Sequence, residues 1–598
     1  MRYTNWPQWN YNFSPSQRRV GRPYNAQGGR FIFTAALSMT AISLISLPLH
    51  AAPLNPDLKI GVRQRFGQQP KDKVVLQALP GDQLTVQFAN RGKAETFVTD
   101  RLQIDIALEP LPQPQQDERL VLSTHRSFES AEASAQRWRS QGVEVELAQP
   151  DHWQAWAKRD RYDSTVSRLL LLQDLKIKGL TTGYLDRKTW TNRPKLSWVA
   201  NGFRFHRNEV NITAGKQLIR VDNQQYPGSL RFQPNAYGTY TLVNQVPLES
   251  YLRGVVPYEI GHNAPRTAIE AQTILARTYA LRNLRRFKID RYELCATTQC
   301  QVYEGIGNAD PVVDRAIAAT VGQVLTYNNE LIDALYSSTT GGITAAFEDV
   351  WEGKPRPYLK ARIDAAPNRI WDLKTRSLAN EAAFRAFIQV KKGFNEDGWQ
   401  YLRWRTEASL PKLNQNLRDF LKQQQHPLAK FQNIQALTVL SRAASGRVQR
   451  LRVVTDAGTI DLTKDEVLRA FEAPNSLLFY VDPVGANPSS PNGTTPTKGL
   501  KGFAFTGGGL GHGVGLSQTG SYALSQQGWS ASQILAFYYP NTVLQPLSTK
   551  IAYWRDESPT PVITKSQAEE PHGFEFLGWK FPSLSLDPLL HWFQSRFA

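Results

Sequence analysis

The sequence predicts a mixed α+β protein of several domains, and three observations carry that reading. Within residues 247–283, Pro265 opens a helix whose apolar positions Ala268, Ala271, Leu275 and Tyr279 recur three and four apart. Residues 58–63, 74–79 and 84–88 instead alternate or run apolar, with turn residues Pro80, Gly81 and Gly92 among them, as strands do. Residues 119–123, 128–140 and 143–147 read strand, helix, strand. At 598 residues the chain has room for two to four domains.

Taken in order, residues 1–30 are polar, carry Arg18, Arg19, Arg22 and Arg30, and contain no acid. Residues 31–49 then run without a charge and His50, Ala51 and Ala52 follow, the layout of a secretory signal cleaved near Ala52 or of a retained N-terminal anchor. Either way the body is expected outside the cytoplasm, in the periplasm or cell wall. Residues 55–110 form a β-rich segment, and the Pro- and Gln-rich residues 111–116 read as a linker. Residues 117–190 form an α/β region in which 154–182 reads as a second copy of the strand–helix unit. Residues 196–246 are strand-rich and lead into the helical block. Residues 365–435 read as a helical insert carrying Trp399, Trp404 and a basic helix at 412–422. Residues 435–471 read as three strands and a helix, and 487–497 as a polar Pro/Gly loop. The tail, 546–598, is irregular until 584–597, where Leu589, Trp592 and Phe593 fit an amphipathic helix that packs on the body or touches a membrane surface.

A net charge of +18 and a pI near 9.7 favour anionic partners. The Lys and Arg are scattered, and no zinc finger, Arg-rich helix or RNA-binding aromatic motif is present, which argues against nucleic acid. The charge then belongs to a wall or membrane-surface protein, or simply to a solvated basic face.

The residues that carry chemistry begin with Glu259, preceded by Val255, Val256 and Tyr258 and followed by a helix start. A lone carboxyl held among apolar residues acquires a raised pKa and can serve as a general acid; the plainer role is to cap the following turn. The run 507–515 places glycines around His512 but has neither a G-K-[ST] ending nor G-x-G-x-x-G spacing, so no nucleotide and no other cofactor is expected. Glycines allow close backbone approach, which suits a groove wall for sugar, with His512 bonding a hydroxyl, tuning Glu259, or serving only the turn. Residues 337–342 (SSTTGG) form a second hydroxyl-rich loop, and Gln272 and Arg277 lie beside the packed helix face, Arg277 either orienting a carboxylate or pairing on the surface. Cys295 and Cys300 are the only cysteines. A pair this close in an oxidising compartment favours a disulfide, since two thiolates alone do not close a zinc site.

Four blocks in one order carry a family resemblance: residues 246–283 with VPYEI at 256–260; 295–305 (CATTQCQVYEG); 336–353 (YSSTTGGITAAFEDVWEG) with 357–364 (PYLKARID); and 507–542, opening GGGLGHGVGLSQTG. In wording and order they resemble the SpoIID/LytB family, sporulation stage II protein D and the amidase enhancer LytB. The likeness covers a domain of residues 196–545 with its core at 235–545. It implies a peptidoglycan lytic transglycosylase that cuts glycan strands stripped of peptides, with Glu259 as catalytic acid, or a non-catalytic enhancer that activates an N-acetylmuramoyl-L-alanine amidase, or a wall-binding scaffold. The substrate-binding positions expected on this basis are Gln272, Arg277, Ser338, Thr339, Gly341, His512, Gly513 and Gln518. Some members resemble zinc binders near the cysteines through an added His; this chain has Gln299 there, so zinc at Cys295 and Cys300 stands as the alternative to the disulfide. Residues 127–142 (SFESAEASAQRWRSQG) and their flanking strands, within the 117–190 region, resemble a SPOR domain, a module that binds denuded glycan.

Overall fold

The computed structural model describes residues 54–555, apart from 201, 368–369, 425 and 486–498, together with the backbone of residues 575–576 and 579–580. The leader with its apolar run, the 487–497 loop and the tail helix at 584–597 lie outside the described residues. Residues 556–598 are a unit of their own, of which a ladder of Glu575–Phe576 with Trp579–Lys580 is described. Among the described residues no helix is long and apolar enough to cross a membrane.

The fold is mixed α and β, as the patterning predicts. Strands β1 (Asp57–Phe66), β2 (Lys73–Ala78), β3 (Leu84–Asn90) and β4 (Lys93–Thr99) alternate as read; in β3, Leu84, Val86 and Phe88 are buried while Gln87 and Ala89 are exposed. The expected linker is a correction. Residues 111–116 lie inside β5 (Arg101–His125), one continuous strand of 25 residues. Their prolines are tolerated because this part of the strand is solvent-facing ribbon whose pairing register breaks between Pro110 and Gln115.

Residues 154–182 carry the second strand and helix as read, within the same sheet as the first. After β5 come α1 (Phe128–Ser140), β6 (Val145–Ala148), β7 (Trp153–Ala157), α2 (Thr165–Ile177), β8 (Tyr184–Ala200) and β9 (Phe203–Arg207). The order β8-β5-β7-β6, antiparallel throughout, joins two strand–helix–strand passes into one split βαβ unit. Leu120, Leu122, Trp138, Val145, Leu172 and Leu175 make its core, since neither helix alone can cover the sheet. Ser127 starts α1 by accepting the Ser130 amide at 3.2 Å. The unit is tied to the body through α1: Glu132 pairs with Arg285 at 2.6 Å, Glu129 with Arg286, and Phe128 and Phe287 both lie 5.0 Å from Trp153.

The body then runs through β10 (Val210–Ala214), β11 (Leu218–Val221), β12 (Gln224–Pro227), β13 (Ser229–Pro234), β14 (Tyr240–Pro247), α3 (Leu248–Arg253), α4 (Val256–Ile260), α5 (Arg266–Arg282) and β15 (Leu294–Cys295). A seven-stranded sheet has the order β15-β1-β14-β13-β10-β3-β4. The boundary expected at residue 196 is therefore crossed by β1, which pairs antiparallel with β14 and parallel with β15, so the first strands belong to the same core as the Glu259 block. In the segment read as a helical insert, Glu381–Gln389 and Leu410–Gln423 are helices, but Trp404–Ser409 is a strand paired with Gly502–Gly507.

Helix α5 departs from its one-sided pattern. Ala268, Ala271, Leu275 and Tyr279 are buried as expected, yet so are Gln272, Arg277 and Thr278. The helix is enclosed on several sides by α3, α4 and the later helices Pro311–Ala319, Gln518–Gln526 and Ala531–Tyr538, and its alanines permit that close approach.

Candidate active site

Glu259 sits in α4, a five-residue turn ended by Gly261, whose φ of 84° suits glycine. The carboxyl is turned inward. Its Oε1 accepts the Val302 amide at 2.8 Å, and the Tyr336 hydroxyl faces it and also favours its charge. Both partners are neutral, so they offset burial only in part, and the pKa rises from 4.5 to about 7. A relay stands behind: Tyr251 donates to Gln301 Oε1 at 3.2 Å, and Gln301 Nε2 donates to the Tyr336 hydroxyl at 3.1 Å. Tyr251 and Gln301 are fully buried, which holds Tyr336 in place.

The turn is clamped from the other side by the helix Gln518–Gln526. Gln518 Nε2 donates to the Glu259 carbonyl at 2.7 Å, and one helical turn later the Tyr522 hydroxyl donates to the Ile260 carbonyl. Gln518 also faces Gln272 Oε1 at 3.5 Å, while Gln272 Nε2 is buried with no hydrogen-bond partner. Of the anticipated substrate residues, Gln272 and Gln518 are thus the two brought to Glu259.

The others are engaged elsewhere in this structure. Arg277 is fully buried and grips Glu249 with two bonds of 2.7 and 2.8 Å, because a guanidinium inside the protein needs a carboxylate. His512 is held by the Val514 amide on Nδ1 at 3.0 Å and faces the Tyr336 carbonyl; burial lowers its pKa to about 4, so it is neutral. Gly513 is required by the buried Arg447, since a Cβ there would lie 2.1 Å from a guanidinium nitrogen. Ser338 offers its carbonyl to Thr519, and Thr339 Oγ1 accepts the Leu510 amide at 3.0 Å. The Gly341 amide donates to Glu396 at 2.9 Å.

Glu396 is the centre of a second carboxyl cluster that the sequence reading missed. It accepts the Thr340 amide and hydroxyl, the Gly341 and Gly342 amides and the Ser517 hydroxyl, all within 2.9 Å. Asp364 is beside it, bonded by Asn395 at 2.7 Å and Tyr538 at 2.8 Å, with Thr340 Oγ1 at 3.2 Å. Burial first and the Glu396 charge second push the Asp364 pKa up to about 8. Thr340 has one hydroxyl proton; when it goes to Glu396, a protonated Asp364 donates to Thr340 and the set closes.

Cys295 and Cys300 are joined by a disulfide with Cα atoms 5.6 Å apart. Their sulfurs are therefore not free to ligate zinc, and among the described residues no group of three or more His, Cys, Asp or Glu could hold a metal. The functional groups missed in the sequence are Val302, Gln301 and Tyr336. The one signal for the first pair was their place immediately after Cys300.

The Stage II sporulation protein family matches residues 236–327, and a domain of unknown function (DUF8618) matches residues 345–515. The amidase enhancer of Bacillus subtilis (strain 168) is 31% identical over 338 residues, 54% of this chain and 45% of that protein. Stage II sporulation protein D of the same organism is 25% identical over 334 residues, 52% of this chain and 80% of that one. An uncharacterized protein of Brachyspira hyodysenteriae is 27% identical over 322 residues, covering 53% and 71%. The chain thus spans less than half the length of the amidase enhancer.

Proposed function

We propose, from the likeness of residues 236–327 to the Stage II sporulation protein family, that the chain is an exported cell-wall protein that cleaves the β-1,4 bond between N-acetylmuramic acid and N-acetylglucosamine without water. The single observation that supports this is the state of Glu259: a carboxyl that holds its proton to about pH 7 inside a turn fixed by Gln518 and Tyr522. Such a group can give a proton to the glycosidic oxygen as the bond breaks, while the C1 centre becomes oxocarbenium-like. The resulting carboxylate takes the proton of the muramyl C6 hydroxyl as that oxygen bonds to C1, which yields a 1,6-anhydro end and restores the acid. One carboxyl serves both steps because the nucleophile is part of the substrate. The Val302 amide and Tyr336 steady the intermediate carboxylate.

Mass analysis of products from purified protein and amidase-stripped glycan tests this. Anhydromuramyl ends are expected from the parent chain and not from Glu259→Gln; their equal formation by both would eliminate the mechanism. The second reading, a partner of a wall amidase that stimulates it, is favoured by the likeness to the amidase enhancer. Stimulation of an added amidase by both forms, with no anhydro product from either, would select it. The split βαβ unit of β5–β8 is then the wall-holding module, as its SPOR likeness implies.

A further inference from the structure

We propose that Trp399 and Tyr522 form an aromatic platform that takes the apolar face of a pyranose ring in the glycan, one sugar to the side of Glu259; this rests on the glycan-cutting reading and assigns it a subsite. Tyr522 is fixed at the site because its hydroxyl bonds the carbonyl of Ile260, the residue after Glu259, and its helix also carries Gln518. The Trp399 ring meets the Tyr522 ring edge-on, with centroids 5.8 Å apart and planes at 71°. Both side chains are only partly buried, unlike the tryptophans at 153, 156 and 198. A ring held rigid by an edge-on neighbour at the edge of a polar site offers its own flat apolar face at small entropic cost, and the second ring forms an apolar wall beside it.

Trp399 is rigid for a reason found elsewhere in the chain. It follows Glu396 by three residues, and its amide donates to the Glu396 carbonyl at 3.1 Å. The Glu396 side chain is bound by five donors from residues 340–342 and 517. The turn bearing Trp399 is thereby pinned to the same loop that leads from Tyr336. Trp399 lies within residues 345–515, outside the part that matches the sporulation family, so Trp399 is a contribution of that other segment to the site. A sugar has one face of C–H groups and a rim of hydroxyls. The rings suit the face, and the half-buried Gln518 suits the rim.

The test is binding of amidase-stripped glycan strands to the full chain carrying Glu259→Gln, so that no turnover is needed. Adding Trp399→Ala should weaken binding about tenfold, and Trp399→Phe should restore most of it. Trp399→Leu keeps apolar volume without a ring and should bind like the alanine variant, which covers the case in which alanine fails to fold. Tyr522→Leu removes the second ring and should weaken binding as Trp399→Leu does. Equal binding by the parent, Trp399→Leu and Trp399→Ala would overturn the platform, as would a parent that does not bind the strands. If no form of the chain makes anhydro ends but Trp399→Ala still loses binding, the platform stands and the catalytic reading falls.

Discussion

Glu259 and Glu396 are both inward-turned glutamates in one domain, and they are provisioned in opposite ways. Glu396 receives five hydrogen bonds, three of them from backbone amides. Glu259 has one amide at 2.8 Å and a tyrosine, and keeps a proton to about pH 7. The number of donors aimed at a buried carboxyl decides whether it serves as a structural tie or as a reagent. A saturated carboxylate holds loops together; an undersupplied one carries a transferable proton.

The largest expected effect comes from depriving the undersupplied one. Glu259→Gln should lower the rate of anhydro-product formation by a factor of about 10² to 10⁴, read by mass analysis. The same change should stabilise the fold. Because the native pKa is raised from 4.5 to about 7, the native state holds a proton the unfolded chain has lost, and stability declines as pH rises across that window. Urea unfolding at pH 8 should show the variant ahead by about 1–3 kcal/mol, with the gap closing at pH 4. A less stable variant at pH 8 would contradict the provisioning argument.

Glu396→Gln should do the reverse. One amide oxygen replaces two acceptors and an NH₂ group is turned against the amides of 341 and 342. A loss of about 3–5 kcal/mol in urea unfolding is expected, and an unchanged midpoint would break the comparison. Asp364→Asn sharpens it further. Its native pKa is raised from 3.8 to about 8, so its contribution also falls as pH rises between those values. Asn supplies a donor to Thr340 at any pH, so the melting temperature of the variant should exceed that of the parent by more at pH 8 than at pH 5.

The smallest effect concerns the relay. Tyr336→Phe removes a group that favours the Glu259 carboxylate, so the alkaline limb of the pH–rate profile should move upward by about half a unit to one unit while the fold is kept. Gln301→Leu should produce a shift of the same sign, since Tyr336 then loses its support. A downward shift in either variant would count against the arrangement.

Much of the framework was legible in the residues. The three-and-four spacing of Ala268, Ala271, Leu275 and Tyr279 located α5, and the alternation of Leu84, Val86 and Phe88 located β3, because burial of one face imposes its period on the sequence. Glu259 was legible through its apolar neighbours. Its donors were not: Val302 acts through a backbone amide, which any residue has, and Tyr336 lies far along the chain. Pro112 and Pro114 misled because proline signals a linker in general and is tolerated on an exposed ribbon in particular. Gly341 and Gly513 were visible as glycines, but that their partners are the buried Glu396 and Arg447 depends on tertiary packing.

The bond between Cys295 and Cys300 has a consequence for the proton on Glu259. Gln301 and Val302, the next two residues, are the ones that reach toward that carboxyl, directly or through Tyr336. Reduction releases the loop that presents them, and a carboxyl relieved of donors to its anion binds its proton more tightly. Thiol oxidation and proton affinity are in this way two readings of one lever: a reductant added to the folded chain acts as a base-strengthening agent at residue 259, without touching it.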